Sequence, residues 1–330
     1  MTAPENILFI RLKSIGDVLF TLPAVQLARA NYPHARLTFL TSQENATLLA
    51  GFADLDEIIT LDRQLYRRKN PIAIITGTLA LLRKLRAEPF KQVFDFQGYG
   101  ETAALAWLTR ASQRHGPLDS KFRRRAYTDG LPRLHDRHPV DWNRELLTHA
   151  GLRPAPVRNQ FVLPATAEAE ARKFLAENQL TTARPLIYLQ PFTSSATKNW
   201  SFEKYLALAR HWRGRDAQII FCGGPADKIS LEPARVEGFT SAAGLPLLTA
   251  AGLMQLSRFI VGGDTGLLHL ATALGRRVVM LMGGTGPSCC VPYGHAEWAM
   301  PARTETGVAG IELAAVISAS EVAFAESAGI

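Results

Sequence analysis

Apolar runs of strand length alternate with amphipathic runs of helix length along both halves of the chain. Short runs rich in Val, Ile, Leu and Phe are typical of strands buried in a parallel sheet, and the amphipathic stretches are typical of the helices that cover it. In the first half the pattern predicts strands at 7–12, 37–41, 57–61, 92–96 and 113–115. It predicts helices between and after them at 18–31, 43–50, 73–86, 101–110 and 140–150.

A proline-rich break at 152–158 has no periodicity and is typical of an interdomain linker. The pattern then restarts, with Thr166 placed to cap the first new helix. We predict strands at 186–189, 218–222, 259–261 and 278–282, and helices at 167–178, 202–212, 247–257, 267–274 and 311–325.

Two strand-first halves of similar size predict an α/β protein of two Rossmann-like domains, whose parallel sheets face a central cleft. The predicted N-terminal domain spans 1–155 and the C-terminal domain 156–310. For the last segment, 311–330, packing back on the N-terminal domain is one option. Within the first long helix, Pro23 either kinks the helix or marks its true first turn.

Composition supports a globular protein, since 47% of the 330 residues are hydrophobic and 20% are charged. No apolar run reaches the ~18 residues of a membrane-spanning helix, and the run at 7–10 is too short for a signal peptide. The three cysteines, Cys222, Cys289 and Cys290, match no zinc spacing. We therefore expect a reduced, cytoplasmic protein.

The net charge of +8 indicates an acidic partner, which could be nucleic acid, anionic lipid or a phosphorylated substrate. Much of the excess lies in the first half, at Arg67-Arg68-Lys69, at 83–86 and at 121–137. A diffuse, solvated basic surface is the alternative interpretation.

The loop after the first predicted strand contains Ser14, Gly16 and Asp17, and it lies at the sheet edge where ligands bind in open α/β folds. It is neither a dinucleotide fingerprint nor a P-loop. Asp17 is either a helix N-cap or a cleft carboxylate that acts as general base on a hydroxyl group.

A second loop, at 190–200, is dense in hydroxyl groups and carries Lys198. Hydroxyls, amides and an ammonium group together suit a phosphate, and a plain polar loop with Ser201 as the next helix cap is the alternative.

The third loop, at 262–269, combines glycines with a helix start, where backbone amides favour an anion. Helical spacing predicts an apolar face with Leu267 and an opposite face with Thr265 and His269. Taken singly, Asp264 is more often an N-cap and His269 a structural histidine. A glycine-rich turn at 283–287 could line the same edge. The sequence has no Cys-x-x-Cys pair or other zinc-binding cysteine spacing, and we expect no metal.

These segments together resemble a known family. The stretch Ile10 to Leu19 with Thr21 and Pro23, then 95–98, 193–200 and 263–269, is similar to glycosyltransferase family 9, the ADP-heptose:lipopolysaccharide heptosyltransferases. The resemblance implies a GT-B fold and an inverting, metal-independent reaction without a cofactor. In this reaction heptose passes from ADP-L-glycero-D-manno-heptose to the Kdo/heptose inner core of a lipopolysaccharide precursor.

The resemblance also implies roles for individual residues. Asp17 matches the general base and Lys198 matches a lysine that contacts the donor phosphates, while either Asp227 or Glu232 could contact the adenosine ribose. The other expected donor-binding residues are Thr193, Ser194, Asp264, Thr265, Gly266, Leu267 and His269. The expected acceptor-binding residues are Ser14, Gly16, Gln97, Arg67, Arg68, Lys69, Arg123 and Arg124. The expected partners are a nucleotide sugar, an anionic glycolipid and the cytoplasmic surface of the inner membrane, but no nucleic acid.

Three alternatives stay open at this point. A Rossmann oxidoreductase would require a GxGxxG motif with a later acidic residue, and neither is present. A non-enzymatic protein could bind nucleic acid or lipid through its basic half, but the sequence shows no recognition motif for either. A homologue within the family that uses another nucleotide sugar, or another glycan acceptor, has the same motifs.

Overall fold

The computed structural model describes residues 6–64, 70–87, 89–133, 136–156, 158–283 and 290–327. The chain divides into two compact units, Met1–Gln160 and Phe161–Ile330, close to the domain boundary expected between 155 and 156. Each unit contains one six-stranded parallel sheet flanked by helices, so the predicted α/β class is confirmed. Among the described residues no helix is both long and apolar enough to cross a membrane.

In the first unit the strand order is β3-β2-β1-β4-β5-β6. The central strands are buried on both faces, which explains their nearly continuous apolar sequence. The strands are β1 (Asn6–Ile10), β2 (Arg36–Ser42), β3 (Glu57–Leu61), β4 (Gln92–Asp95), β5 (Gln113–Pro117) and β6 (Asp129–Leu131). The helices are α1 (Ile15–Leu19), α2 (Leu22–Asn31), α3 (Pro71–Ala87), α4 (Gly100–Leu108) and α5 (Pro139–His149).

In the second unit the strand order is β12-β11-β10-β7-β8-β9. Its strands are β7 (Leu186–Gln190), β8 (Gln218–Gly223), β9 (Thr240–Ala243), β10 (Phe259–Gly263), β11 (Val278–Met282) and β12 (Ala299–Pro301). Its helices are α6 (Ala165–Glu177), α7 (Phe202–Arg213), α8 (Glu232–Val236), α9 (Leu247–Leu256), α10 (Gly266–Ala273) and α11 (Leu313–Glu326).

The strand order reverses at one place in each sheet, between β1 and β4 in the first unit and between β7 and β10 in the second. At such a switch point the loops after the two strands diverge and leave a crevice at the carboxyl edge of the sheet. The loops after β1 and β7, and those after β4 and β10, are therefore the ones that the fold places for ligand binding.

Several local predictions were wrong. The helix expected at 18–31 is two helices, because Pro23 lies in the first turn of α2. The helix expected at 43–50 is a 3₁₀ helix, Gln43–Gly51. The N-cap of α6 is Pro164, so Thr166 lies inside the helix. The short strands β6, β9 and β12 were not predicted, since they have only three or four residues and no apolar run.

The last helix, α11, packs within the second unit, whereas the sequence left open that it returns to the first. Val316 and Ala323 are buried in the core on one side of the second sheet. Trp212 Nε1 donates a hydrogen bond to Ser320 Oγ at 2.9 Å. The guanidinium of Arg258 donates to the carbonyl oxygen of Phe324 at 2.9 Å. Helix α11 therefore covers part of one face of the second sheet.

Candidate functional site

A chain of three charged or polar side chains joins the two switch-point loops of the second unit. Lys198 follows β7, Asp264 follows β10, and His269 lies in α10. Lys198 Nζ is 2.9 Å from Asp264 Oδ2, and His269 Nε2 is 3.4 Å from Asp264 Oδ1. The carboxylate of Asp264 is thus shared between a cation and an imidazole at the edge where the fold favours a ligand.

The environment of Asp264 stabilises its ionised form. Burial raises the pKa of this carboxyl, but the hydrogen bonds and charges of His269 and Lys198 outweigh burial and lower the pKa to about 2. The side chain of Lys198 is 39% exposed, whereas that of Asp264 is only 13% exposed. The ammonium group is therefore held by a half-buried anion and is itself partly open to solvent.

Glycine at 263 allows the two loops to approach each other. A Cβ atom at this position would lie 2.6 Å from Thr193 Cγ2 and 3.1 Å from the carbonyl oxygen of Lys198. Since real Cβ atoms do not approach so closely, a side chain here would push the β7 loop away from β10. Gly263 thus sets the distance between Lys198 and Asp264.

The hydroxyl groups predicted for this site differ in their availability. Thr193 Oγ1 donates to the carbonyl oxygen of Ser195 at 2.8 Å, so it shapes its own loop. Ser194 is exposed. Thr265 is the N-cap of α10, and its hydroxyl is buried without a hydrogen-bond partner among the described residues. Gly266 begins the helix, so Thr265 lies beside amide groups that also favour an anion.

The predicted division of α10 into an apolar and a polar face was only partly right, because Leu270 and Ala271 of the expected apolar face are buried but the opposite face is not exposed. Leu268 is fully buried, whereas Leu267, which was assigned to the core, is only half-buried. His269 and Thr272 are also buried, and Thr272 Oγ1 donates to the carbonyl oxygen of Leu268 at 2.9 Å. Helices and strands surround α10 on most sides, so periodicity could not separate its faces.

In the first unit, Asp17 lies in the first turn of α1, after β1. Ser14 is the N-cap, and its N–H and Oγ donate to Asp17 Oδ2 at 2.9 and 3.0 Å. Arg11 Nη2 is 2.6 Å from Asp17 Oδ1. Burial raises the pKa of Asp17, but Arg11 and the hydrogen bonds from Ser14 lower it more, so the pKa lies below its usual range. Asp17 closes a capping box and also keeps a 38% exposed carboxylate.

Gln97 ties the two switch-point loops of the first unit together. Its side chain is buried, and Oε1 accepts hydrogen bonds from the backbone N–H groups of Leu12 and Lys13 at 2.8 and 3.2 Å. Asp95 lies two residues before Gln97 and is fully buried. Its carboxylate accepts one hydrogen bond from the N–H of Gln97 at 2.8 Å and another from the hydroxyl of Tyr127 at 2.7 Å. Burial raises the pKa of Asp95. The oxygen of Gln97, which was predicted to bind the acceptor, is thus occupied by backbone.

Three arginines converge on the backbone of the β4 loop. Arg123 donates to the carbonyl oxygen of Gly98 at 2.6 Å, and Arg11 to that of Phe96 at 2.6 Å. Arg133 donates to the carbonyl oxygens of both Phe96 and Gln97 at 2.7 Å. Only Arg123 was predicted here. Arg11 has a sequence signal, because it precedes Asp17 in the same motif, but Arg133 has none beyond its place in a basic stretch.

The other predicted residues fall in three groups. Arg67, Arg68 and Lys69 lie outside the described residues, as does most of the turn at 283–287. Arg124 is exposed. Gly16 lies buried in the first turn of α1.

Asp227 and Glu232 differ in position. Asp227 follows β8, and its Oδ2 accepts a hydrogen bond from the N–H of Gly224 at 2.8 Å, at the carboxyl edge of the sheet. Glu232 is in α8 and pairs with Arg235 on its own helix. Of the two acids, Asp227 is the one that shares a sheet edge with Lys198. Within the described ranges, no group of three His, Cys, Asp or Glu side chains lies close enough to hold a metal ion.

Comparisons with known proteins agree with this architecture. The sequence model of glycosyltransferase family 9 (heptosyltransferase) matches residues 78–307. Lipopolysaccharide heptosyltransferase 1 of Pseudomonas aeruginosa is 28% identical over 309 residues, which cover 88% of this chain and 82% of the relative.

Two solved structures share the fold over nearly the whole chain. A glycosyl transferase family 9 protein from Veillonella parvula has a TM-score of 0.87 at 22% identity, covering 98% of this chain and 97% of that one. The E. coli heptosyltransferase WaaC, solved with ADP, has a TM-score of 0.79 at 23% identity, covering 96% and 99%. The predicted GT-B fold class is thereby confirmed. Because the family match covers more than half of the sequence, the chain belongs to glycosyltransferase family 9, the heptosyltransferase family, and is a glycosyltransferase.

Proposed function

We propose that the chain is an inverting, metal-independent heptosyltransferase. It transfers heptose from ADP-L-glycero-D-manno-heptose to the Kdo/heptose inner core of a lipopolysaccharide precursor at the cytoplasmic face of the inner membrane. The observation that carries the proposal is the Lys198–Asp264–His269 chain at the switch point of the second sheet. Relatives supply the sugar and acceptor classes, since they include lipopolysaccharide heptosyltransferases.

The donor diphosphate binds where Lys198 and the start of α10 meet. The ammonium group, the unpartnered hydroxyl of Thr265 and the amide groups at Gly266 offer positive or donor groups to phosphate oxygens. Asp264 holds Lys198 in place, and His269 holds Asp264. Asp227 lies at the same sheet edge, and its carboxylate accepts a hydrogen bond from a ribose hydroxyl group of the adenosine.

The reaction is a displacement at the anomeric carbon. The acceptor oxygen forms a bond to this carbon as the bond to the diphosphate oxygen breaks, and ADP leaves with the bonding electrons. Lys198 and the α10 amides stabilise the negative charge that develops on the leaving diphosphate. Asp17 accepts the proton of the acceptor hydroxyl.

The low pKa of Asp17 has a consequence for the timing of this proton transfer. The carboxylate is ionised at neutral pH and ready to accept a proton, but it is a weak base. A sugar hydroxyl becomes acidic enough only once its oxygen has begun to bond to the anomeric carbon. Proton transfer to Asp17 therefore occurs late, after the acceptor oxygen has begun to bond to the anomeric carbon.

A donor screen tests the proposed substrate class. A ligand that binds only the native state raises the unfolding free energy, by about 2.7 kcal/mol at ~100 times its Kd. We expect ADP and ADP-heptose to raise the melting temperature, and UDP, GDP and their sugars to leave it unchanged. Stabilisation by a uridine or guanosine diphosphate sugar alone would contradict the proposed donor.

A further inference from the structure

One side of the first unit exposes apolar side chains on three elements: α3, α4 and the short 3₁₀ turn Arg123–Ala126 with the residue before it. Helix α3 buries Leu81 and Leu85 in its second half, whereas the residues of its first half are exposed or half-buried. We call the exposed apolar residues the α3 face: Ile72 (73% exposed), Ile75 (59%), Leu79 (48%), Trp107 (59%) and Phe122 (81%).

The three elements are neighbours on the same side of the sheet. Leu81 and Leu85 of α3 share one buried cluster with Ala103 and Ala106 of α4 and with Ala126 of the 3₁₀ turn. Arg86 Nε also donates to the carbonyl oxygen of Leu108, at 3.0 Å, which joins the ends of α3 and α4. The residues of the α3 face therefore belong to elements that cover the same side of the first sheet.

Within α3 the exposed apolar residues form a stripe. Ile72, Ile75 and Leu79 are spaced three and four residues apart, so they follow one side of the helix. Leu81 and Leu85 bury a different side. An apolar stripe on the outer side of a helix is typical of an interaction site.

The charged residues of helix α3 and of the segment 120–128 are all positive. Exposed cations follow the stripe at Arg83 and Lys84 and flank Phe122 at Lys121, Arg124 and Arg125. Neither 71–87 nor 120–128 contains an acidic residue. Within the part of the chain that the structure describes, none of these five cations is in an ion pair.

An apolar helical stripe, exposed Trp and Phe, and unpaired Arg and Lys are the features of a helix that lies in a lipid headgroup region. We propose that the α3 face docks on an anionic phospholipid surface, with the apolar side chains at the boundary between headgroups and acyl chains and the cations on lipid phosphates. The biological role of this docking rests on the proposed function, which places the acceptor in a membrane. The binding to lipid itself requires neither donor nor acceptor.

Vesicle flotation without substrates tests the docking. The full chain is mixed with vesicles of phosphatidylglycerol and phosphatidylcholine, or of phosphatidylcholine alone. We expect it to float with the first and not with the second, and to be released as salt rises.

Substitutions then test the surface. Ile75→Asp places a charge in the stripe near the start of α3, where a helix tolerates an acidic residue. We expect it to weaken binding at least about tenfold. The matched control is Ile229→Asp, because Ile229 is 86% exposed in the second unit; it should bind as the unaltered chain does. Replacing Arg83 and Lys84 by Gln should weaken binding by roughly fivefold for each charge. Circular dichroism and the melting temperature verify that each variant is folded.

Three results would overturn the proposal. The first is a chain that does not float with the anionic vesicles. The second is an equal effect of Ile75→Asp and Ile229→Asp. The third is a dimer in sedimentation that Ile75→Asp dissociates while vesicle binding is unchanged, since the α3 face would then join two copies of the chain. None of these depends on transfer, and assays with a water-soluble acceptor test the proposed function separately.

Discussion

Replacing Lys198 by Met should weaken ADP binding far more than it weakens the fold. The change removes the ammonium group and keeps a side chain of similar length. A hydrogen bond to a charged group contributes about 1.5–3 kcal/mol, so we expect the Kd for ADP to rise by roughly 10- to 100-fold. In the variant, Asp264 also loses the cation that lies 2.9 Å from its carboxylate. The negative charge of Asp264 then repels the diphosphate more strongly, which weakens ADP binding further.

The cost to the free energy of unfolding should be small. The side chain of Lys198 is 39% exposed, and ion pairs with a solvent-exposed partner contribute about 0–1 kcal/mol. Asp264 keeps its contact with His269 at 3.4 Å. We therefore expect the unfolding free energy to change by less than about 1 kcal/mol, as measured by urea denaturation.

Isothermal titration with ADP measures the binding effect. Lys173→Met is the matched control, because Lys173 is an exposed lysine on α6 of the same unit. The control should bind ADP as the unaltered chain does. Equal ADP affinity in Lys198→Met and Lys173→Met would refute the reasoning, because the ammonium group would then not contact the diphosphate.

Three further predictions follow from the same geometry. Asp17→Asn should lower kcat by about 10²- to 10⁴-fold and leave the Kd for ADP unchanged; a normal kcat would remove Asp17 as the base. The pKa of Asp264 is lowered from 3.8 to about 2, so its stabilising effect is complete above pH 4 and is lost as the pH falls towards 2. The difference in unfolding free energy between the unaltered chain and Asp264→Asn should accordingly be constant from pH 7 to about 5 and shrink below pH 4; a difference that shrinks between pH 7 and 5 would contradict this pKa. Gly263→Ala should weaken ADP binding, because its Cβ would displace Thr193, whereas Gly100→Ala, with no atom within 4 Å of the added Cβ, should not.

The alternation of apolar and amphipathic runs sufficed for the long central strands, since burial on both faces leaves an uninterrupted apolar sequence. Strand β1 and strand β10 were predicted for this reason. Three of the four edge strands were missed, because β6 and β12 have only three residues each and β9 has four. Pairing with a neighbour, rather than their own sequence, makes them strands.

The donor cluster was partly predictable. Motifs located Lys198 and Asp264, but that they form an ion pair across two loops depends on the strand order of the second sheet, which puts β7 beside β10. Sequence spacing also misassigned Leu267, because α10 is covered on more sides than a two-faced helix.

In the first unit the contacts of the arginines were harder to predict from the sequence than the strands. Arg133 contacts the β4 loop from a position about 35 residues later in the chain, through a loop whose path no local pattern determines. Gln97 belonged to a recognised motif, but its occupation by the backbone of Leu12 and Lys13 is visible only once β1 and β4 lie side by side.

The most direct test of the proposed function is a transfer reaction with the purified chain, ADP-L-glycero-D-manno-heptose and a Kdo-bearing acceptor in the presence of EDTA. We expect mass spectrometry to detect an acceptor with one added heptose and NMR to show an inverted anomeric configuration relative to the donor. Lys198→Met and Asp17→Asn should both form much less of this product. An acceptor that stays unmodified with this donor, while another nucleotide sugar is transferred under the same conditions, would contradict the proposed function.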